Sequence, residues 1–367
     1  MGSASIKLRG NSTLAMDKKP FRIKFDKKQS LFGYKKNKSW ALLADYIDQS
    51  NIRNYTAFKI ANSVVSDFSP HGTHVVLYLN DNYLGVYLLT EQVDEKEGRI
   101  NVEDTIDATV DNNFPFLVEM DRNALSEGVT GIDNFSIDYY YPIEIKYPEF
   151  DERGVTKEND NVFLYIKEYI TAVFKTLKTG ETVNVSFSET PMGFEDLVDE
   201  NSFLQYLLIN EIMGNRDNAW GSIYMYKTKD GKLKFGPVWD FDWSVCGEYT
   251  GLPYQETGVN YAKEFALIKN WTFHGNYLIN ENRYNKMVAV FNEIKPKVFD
   301  VICELGDYYD TIYNASVVDA IYWYGENGEY MFSSQYCAVR IFLLDKINFL
   351  EKSFSNSFDD FSNSFLK

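Results

Sequence analysis

The sequence predicts an α+β protein of two lobes, a small β-rich lobe followed by a larger and mainly helical one. Short alternations of apolar and polar residues dominate the first part of the chain, and helical periodicity dominates the last part. With 367 residues, of which 45% are hydrophobic and 25% charged, the chain can bury a substantial core. We expect the lobes to comprise residues 1–92 and 93–367, with a ligand-binding cleft between them.

The N-terminal lobe is predicted to contain three strands, a helix and two further strands, in that order. Alternating apolar and polar residues indicate strands at five places: 6–9, 21–25, 40–43, 75–79 and 83–90. The polar residues 48–50 are typical of a helix start, and the apolar positions that follow favour a helix through about residue 65. The turn formers at 80–82 predict that the last two strands form a hairpin.

The C-terminal lobe is predicted to be mainly helical. Helical periodicity is found at 161–178, at 197–213 and through most of 283–352. The second of these helices is expected to begin at Asp196 or at Asp199, because a carboxylate at this place caps exposed backbone N–H groups. The remaining regular segments are predicted strands at 116–120, 222–227 and 232–238.

Three segments lack a regular pattern. Residues 91–113 are acidic and are expected to be irregular, and residues 121–160 are rich in tyrosine and in turn formers. Residues 353–365 repeat Ser, Phe, Asn and Asp, and this low complexity predicts a frayed end.

Charge and composition exclude several classes of protein. The net charge of −16 argues against non-specific nucleic-acid binding, and no apolar run is long enough to span a membrane. Three cysteines and three histidines provide neither a disulfide framework nor a His-rich metal site. The first sixty residues nevertheless contain 13 Lys or Arg and only 4 Asp or Glu. This local excess indicates either a site for an anionic ligand or a solvated cationic surface.

The segment Trp239-Asp240-Phe241-Asp242-Trp243 provides the strongest local signal for chemistry. In an extended chain Asp240 and Asp242 point to the same side, where their carboxylates repel unless a cation lies between them. Oxygen ligands of this kind suit Mg²⁺ or Mn²⁺ with a phosphate-bearing substrate. The alternative is that the two residues cap a turn.

A second signal is Asn215-Arg216-Asp217, just after a predicted helix and one hairpin before Asp240. Loops that follow helices often present reactive side chains. Phosphoryl transfer needs one carboxylate near the acceptor hydroxyl and another on a metal ion, and Asp217 and Asp240 could divide these tasks. Capping and turning of the chain is the commoner use of such residues.

A third signal lies between the first two predicted strands. A turn of small residues after Arg9 exposes backbone N–H groups that can line a phosphate, and Lys24 on the opposing strand can supply a positive charge. Taken alone, the same residues make a plain hairpin turn with an exposed lysine.

Together these features resemble the CotH kinases, a family of spore-coat and secreted atypical protein kinases. The combination is specific although each piece is weak, and it extends from residue 6 to about 247. The resemblance rests on Arg9-Gly10-Asn11-Ser12-Thr13, Lys19-Pro20-Phe21-Arg22-Ile23-Lys24, Trp40-Ala41-Leu42-Leu43-Ala44, Asp48, Ser50, Arg53, Asn54, Gly85-Val86-Tyr87 with Glu91, Asn215-x-Asp217 and Trp239-Asp240-Phe241-Asp242.

The resemblance implies an atypical protein-kinase-like fold and transfer of the γ-phosphoryl group of ATP to protein Ser or Thr, with Mg²⁺ or Mn²⁺. By analogy, Asp217 looks like the catalytic residue that accepts or orients the acceptor hydroxyl. Asp240 looks like the catalytic metal ligand, and Asp242 supports it or binds a second ion. The nucleotide-binding residues implied in this way are Arg9, Gly10, Asn11, Ser12, Lys24 and Glu91, the last at the hinge beside adenine. An extracellular or spore-coat location follows from the same resemblance.

The chain also departs from the usual kinase pattern. It has no GxGxxG, HRD or DFG motif, and Ser222 takes the place of a common Asn metal ligand, which puts a second metal ion in doubt. The helix predicted at 51–65 contains no Glu for the familiar Lys–Glu pair. A catalytically inactive pseudokinase or an adhesion module is therefore the alternative function. An aromatic-lined carbohydrate site is a third possibility, but neighbouring carboxylates on one strand cannot flank a glycosidic bond from two sides.

Overall fold

The computed structural model describes most of the chain. The described residues are 3–10, 12–102, 113–122, 124, 134–137, 141–149, 160–245, 260–268 and 273–365. Within them, two five-stranded antiparallel sheets and seven α-helices form the α+β, two-lobe fold that the sequence predicts.

The first sheet and one helix form the N-terminal lobe. The strand order is β1-β2-β3-β5-β4, and helix α1 connects β3 to β4, so the predicted succession of elements is confirmed. These elements are β1 (Ala4–Leu8), β2 (Phe21–Gln29), β3 (Asn37–Leu43), α1 (Arg53–Val64), β4 (Gly72–Leu79) and β5 (Asn82–Glu91). The two residues between β4 and β5, Asn80 and Asp81, have φ values of 51° and 65°, which their short polar side chains tolerate in a hairpin turn.

The two faces of this sheet pack against different cores. Ala41, Leu43 and Leu88 face α1 and belong to the main hydrophobic cluster, which continues into the C-terminal lobe. Trp40 and Leu42 point to the opposite face and pack in a separate cluster. Because successive side chains of a strand point to opposite faces, β3 lies between the two clusters and contributes to both.

The second sheet contains the predicted hairpin, and it is larger than expected. Its order is β10-β9-β6-β8-β7, with β6 (Phe116–Met120), β7 (Asn134–Ile137), β8 (Tyr141–Tyr147), β9 (Ile223–Lys227) and β10 (Lys234–Phe235). The sequence prediction names no strand within 121–160, but β7 and β8 lie there, and Ile143 and Ile145 of β8 are buried. The expected strand to residue 238 is also too long, since Pro237 has no N–H to donate.

Six further helices complete the described part of the C-terminal lobe: α2 (Asn161–Thr179), α3 (Phe194–Leu197), α4 (Glu200–Ile212), α5 (Glu281–Tyr324), α6 (Gly328–Phe354) and α7 (Phe358–Phe365). Asp160 and Asp199 cap α2 and α4, since their side chains accept hydrogen bonds from Phe163 N at 2.9 Å and Ser202 N at 3.1 Å. None of the helices in the described ranges combines the length and the apolar character needed to cross a bilayer.

The end of the chain is helical, which corrects the expectation of a frayed tail. Phe361 on α7 is 2% exposed, and its ring lies 4.7 Å from the ring of Tyr284 on α5. The phenylalanines that make this segment look repetitive therefore supply an apolar helix face that packs on α5.

Candidate active site

A cavity of about 390 Å³ contains most of the predicted site residues that the structure describes. One side of it is formed by the loop between β1 and β2, and the other by the ends of β6, β8 and β9. Six of the predicted residues line it: Arg9, Gly10, Ser12, Asp217, Asp240 and Asp242. Cavities between two structural units are favoured ligand sites, so this is the candidate active site.

Asp240 faces the cavity from an irregular segment and not from a strand. Its φ is 65°, so the expectation that Asp240 and Asp242 lie in an extended chain is wrong, although both carboxylates line the cavity. The Ser222 hydroxyl donates to Asp240 Oδ2 at 3.1 Å, and the φ of Ser222 is itself 55°. Left-handed backbone at non-glycine residues is strained and is typical of functional sites.

Helix α1 fixes the position of Asp242. Asn54, in the first turn of α1, donates from Nδ2 to Asp242 Oδ1 and accepts from Phe241 N through Oδ1 at 2.9 Å. Arg53 Nη1 donates to the Asp242 carbonyl at 2.8 Å. Arg53 is in turn held by Asp48, whose carboxylate lies 3.3 Å from Nε. These contacts explain how residues far apart in the sequence, including Asp48, Arg53 and Asn54, serve one site.

Asp217 lies in a short 3₁₀ turn that follows α4. Asn215, the residue just before this turn, is fully buried and donates from Nδ2 to Asn210 Oδ1 at 3.0 Å and to the Asp240 carbonyl at 3.2 Å. Asn215 therefore connects the turn that carries Asp217 to the segment that carries Asp240. Burial raises the pKa of Asp217, while the positive charge of Arg122 opposes this rise.

The carboxylates of the site repel one another when ionised, and this repulsion raises their pKa values. Burial raises the pKa of Asp240, and the negative charge of Asp217 raises it further. Burial also raises the pKa of Asp242 to about 7, with additional contributions from Asp240 and Asp48. An arrangement of this kind favours the approach of a cation, because a cation relieves the repulsion between the carboxylates.

The residues present fit a magnesium ion that shares its coordination with phosphate. Within the described ranges, no group of three or more Asp, Glu, His or Cys side chains forms a ready-made metal cage. Mg²⁺ does not need such a cage, because it is commonly held by one or two carboxylates together with water and substrate phosphates. Asp240 and Asp242 supply the carboxylates, and Asn215 Oδ1 is a buried acceptor beside Asp240 with no hydrogen-bond partner in the described structure.

The loop between β1 and β2 presents a basic, glycine-containing turn to the cavity. Gly10 has a φ of +91°, and a Cβ added there would lie 2.3 Å from Thr13 Oγ1, so only glycine fits. The Arg9 guanidinium lies 5.4 Å from the ring of Trp239. Asn11, also predicted to bind nucleotide, lies outside the described residues.

The structure does not bring Lys24 and Glu91 to the cavity lining. Lys24 is exposed on β2. Glu91 is buried at the end of β5, where its carboxylate lies 3.2 Å from Arg99 Nη1 and 2.9 Å from His71 Nδ1. The resemblance implies that Lys24 and Glu91 bind the nucleotide, but neither residue lines the cavity that contains Asp217 and Asp240.

Sequence reasoning missed a charged wall of the cavity. Lys146 on β8 lies 2.9 Å from Glu119 and 2.7 Å from Glu144, and all three line the cavity. Burial raises the pKa of Glu119, and Lys146 opposes the rise. A signal was present, because Glu144 and Lys146 alternate with buried isoleucines at the period of a strand.

The chain was compared with curated proteins and with models of protein families. A search of curated proteins found no match to the chain. The family model described as CotH kinase protein matches residues 6–338, which include both sheets apart from the first two residues of β1, helices α1 to α5 and every residue that lines the candidate site. The chain therefore belongs to the CotH kinase family.

Proposed function

We propose that the protein is an ATP-dependent protein Ser/Thr kinase of the CotH type. The observation that carries the proposal is that Asp217, Asp240 and Asp242 line one cavity together with the basic turn Arg9-Gly10. A kinase requires these parts together: a carboxylate for the acceptor hydroxyl, carboxylates for a metal ion, and donors for the phosphates.

In the proposed reaction, the acceptor hydroxyl oxygen forms a bond to the γ-phosphorus. The bond between that phosphorus and the oxygen bridging to the β-phosphate breaks, and ADP leaves. Asp217 takes up the hydroxyl proton. Its half-buried position suits this role, because a raised pKa makes a carboxylate a stronger base.

The other residues bind and orient the nucleotide. Asp240 and Asp242 would hold Mg²⁺ or Mn²⁺, which neutralises phosphate charge when it is bound. Gly10 and Ser12 would approach the phosphates closely, and Arg9 would supply the positive charge, held over Trp239. We assign this charge to Arg9 and not to Lys24, because Arg9 lines the cavity and Lys24 does not.

The acceptor would be a protein Ser or Thr, and the place of action would be outside the cell or in the spore coat. Both parts of this proposal come from the CotH family and not from a contact in the structure.

A pseudokinase or adhesion module is the second candidate. It is favoured by Leu43, which lines the cavity from β3, the strand that carries the phosphate-binding lysine in typical protein kinases. It is also favoured by Ser222, whose hydroxyl donates to Asp240 where kinases commonly have an Asn metal ligand.

Two carboxyl-to-amide variants distinguish these functions. We expect Asp217→Asn to reduce phosphorylation of a mixed protein substrate by about 10²-fold or more, because the proton acceptor is lost, while ATP binding persists. We expect Asp240→Asn to abolish the rise in melting temperature that ATP with Mg²⁺ gives the wild type. Radiolabelled ATP and a thermal-shift titration measure the two effects.

Asp67→Asn is the matched control, since Asp67 pairs with Lys234 at 2.6 Å outside the cavity. Equal rates of phosphate transfer by Asp217→Asn and wild type would show that the catalytic assignment is wrong. Nucleotide binding by the wild type with no transfer to any protein would favour the pseudokinase.

A further inference from the structure

Apart from Lys18, the described part of the loop that joins β1 to β2 receives two hydrogen bonds from the rest of the N-terminal lobe. Tyr46 donates to Asp17 Oδ2 at 3.3 Å and Tyr87 to Lys19 O at 3.0 Å. The loop is closed at its base by a hydrogen bond from Arg9 N to Pro20 O at 3.1 Å, and Lys19 Nζ donates to Leu14 O at 2.7 Å. Ser12, Leu14 and Asp17 are exposed. A loop of this kind needs an external anchor to hold a defined position at the cavity.

Lys18 is the exception in this loop, because its side chain is only 1% exposed. Its ammonium group donates to Val86 O at 2.6 Å and to Asp319 Oδ2 at 2.9 Å. The same nitrogen lies 5.0 Å from the centre of the Tyr87 ring. The descending half of the loop is thus attached to β5 and to helix α5.

Asp319 connects three elements through one carboxylate. Its Oδ2 binds Lys18, and its Oδ1 accepts from Val86 N at 2.8 Å. The helix approaches so closely that a Cβ at Gly85, where φ is +111°, would lie 2.1 Å from Asp319 Oδ1. Because α5 belongs to the C-terminal lobe, the loop of the N-terminal lobe is held by a residue of the other lobe.

The cost of burying charge means that the ion pair between Lys18 and Asp319 holds the loop in one position. Burial lowers the pKa of Lys18 and raises the pKa of Asp319, so each charge depends on the other for compensation. A buried charge that loses its partner is costly, and the loop therefore cannot move Lys18 away from Asp319 while the ammonium stays buried.

We infer that Asp319 is a positioning residue for the nucleotide, acting through Lys18 on the loop that carries Arg9 and Gly10. This inference rests on the proposed nucleotide site. It adds Asp319, a residue of α5 that does not line the cavity, to the set that determines nucleotide affinity. The pair fixes where the phosphate-facing turn stands and takes no part in phosphate transfer itself.

The variant Asp319→Asn tests the inference with two independent readouts. We expect faster hydrogen exchange in residues 9–20 and a rise of about tenfold in Kd and KM for ATP. The kcat and the KM for the protein acceptor should stay within about twofold, since Asp217 is not displaced. Glu304→Gln is the control, because Glu304 lies on the same helix and its one ion pair in the described structure is with half-buried Lys59, at 2.7 Å.

The double variant Lys18→Met with Asp319→Leu covers the case in which Asp319→Asn does not fold. It removes both charges of the pair, so neither Lys18 nor Asp319 leaves the other charge buried alone, and it should destabilise the fold less than the single variant. It still lacks the tether and should show the same loop exchange and weaker ATP binding. If folded variants keep wild-type exchange in 9–20 and wild-type ATP affinity, the inference is overturned. If the wild type itself binds no ATP, the proposed function fails, and the exchange data alone then decide whether the tether exists.

Discussion

At the scale of single residues, the cation of the site is determined by position and not by residue type. Arg9 and Lys24 both belong to the basic first segment, and either can contact a phosphate chemically. Arg9 lies at the cavity, over Trp239, whereas Lys24 is exposed on β2. The charge of Arg9 also opposes the rise in pKa that burial causes at Asp242.

This difference predicts unequal effects of two alanine variants. We expect Arg9→Ala to raise the Kd for ATP with Mg²⁺ by about tenfold or more, because a charge-assisted hydrogen bond is lost in a partly buried site. Lys24→Ala should change it less, since salt screens an exposed charge. Isothermal titration calorimetry on both variants measures the two constants, and a larger effect of Lys24→Ala would restore the assignment made from the sequence.

At the scale of elements, local chemistry decides where the helices begin. Asp160 and Asp199 each accept a hydrogen bond from the backbone three residues later. Asp199 had been one of two alternatives for the start of the second helix of the C-terminal lobe, and Asp196 instead accepts from Gly193 N at 2.8 Å, at the short helix α3. Both carboxylates are thus used as caps, for two different helices.

The cap of α4 gives a stability prediction. We expect Asp199→Ala to reduce the free energy of unfolding by about 1 kcal/mol, because Ser202 N loses its side-chain partner. Asn201→Ala is the matched control, since Asn201 is exposed in the same first turn and should change stability by less than about 0.5 kcal/mol. Urea unfolding measures both values, and equal losses in the two variants would contradict the capping role.

Elements that depend on distant partners were harder to predict. The strands β7 and β8 are short and lie among turn formers, and they form because β6 offers β8 an edge to pair with. Helix α7 has a low-complexity sequence, and it is ordered because Phe361 finds a place on α5. Local pattern carries no information about such partners, which explains why β7 and β8 were not predicted and why the tail was expected to fray.

At the scale of the whole molecule, the packing of elements from both lobes takes two histidines largely out of water: His74 is half-buried and His274 is fully buried. His74 lies between Asn51 O and the Tyr308 hydroxyl, each 2.6 Å from a ring nitrogen. His274 is fully buried beside Asn218. Burial lowers the pKa of His74 to about 4 and that of His274 to about 3.

These shifts predict a loss of stability on acidification. Both values lie below about 6.5, the ordinary histidine pKa, so the unfolded state binds more protons below that pH. The contribution of the neutral histidines is present above pH 6.5 and is lost as the pH falls, by about 1.4 kcal/mol per pH unit for each histidine. The raised pKa of Asp242, about 7, acts in the opposite direction, so total stability alone is not a clean readout.

The double variant His74→Gln with His274→Gln isolates the histidine contribution. We expect the difference in unfolding free energy between wild type and variant to shrink as the pH is lowered from 7.5 to 5.5, measured by urea unfolding at each pH. Parallel pH profiles for the two proteins would contradict neutral, buried histidines in the folded state.

The sequence by itself determined the order of strands and helices in the N-terminal lobe and the α+β class, and it singled out Asp217, Asp240 and Asp242, which line one cavity in the structure. These follow from side-chain period and residue chemistry, which are local properties of the chain. Only the tertiary structure decided that Arg9 lines the cavity and that Arg99 forms an ion pair with Glu91. The same is true of the ion pair between Lys18 and Asp319, which lie 301 residues apart. Such pairings depend on how whole elements pack. A buried charge needs a partner because burial without one is costly, but only the folded structure shows which residue that partner is.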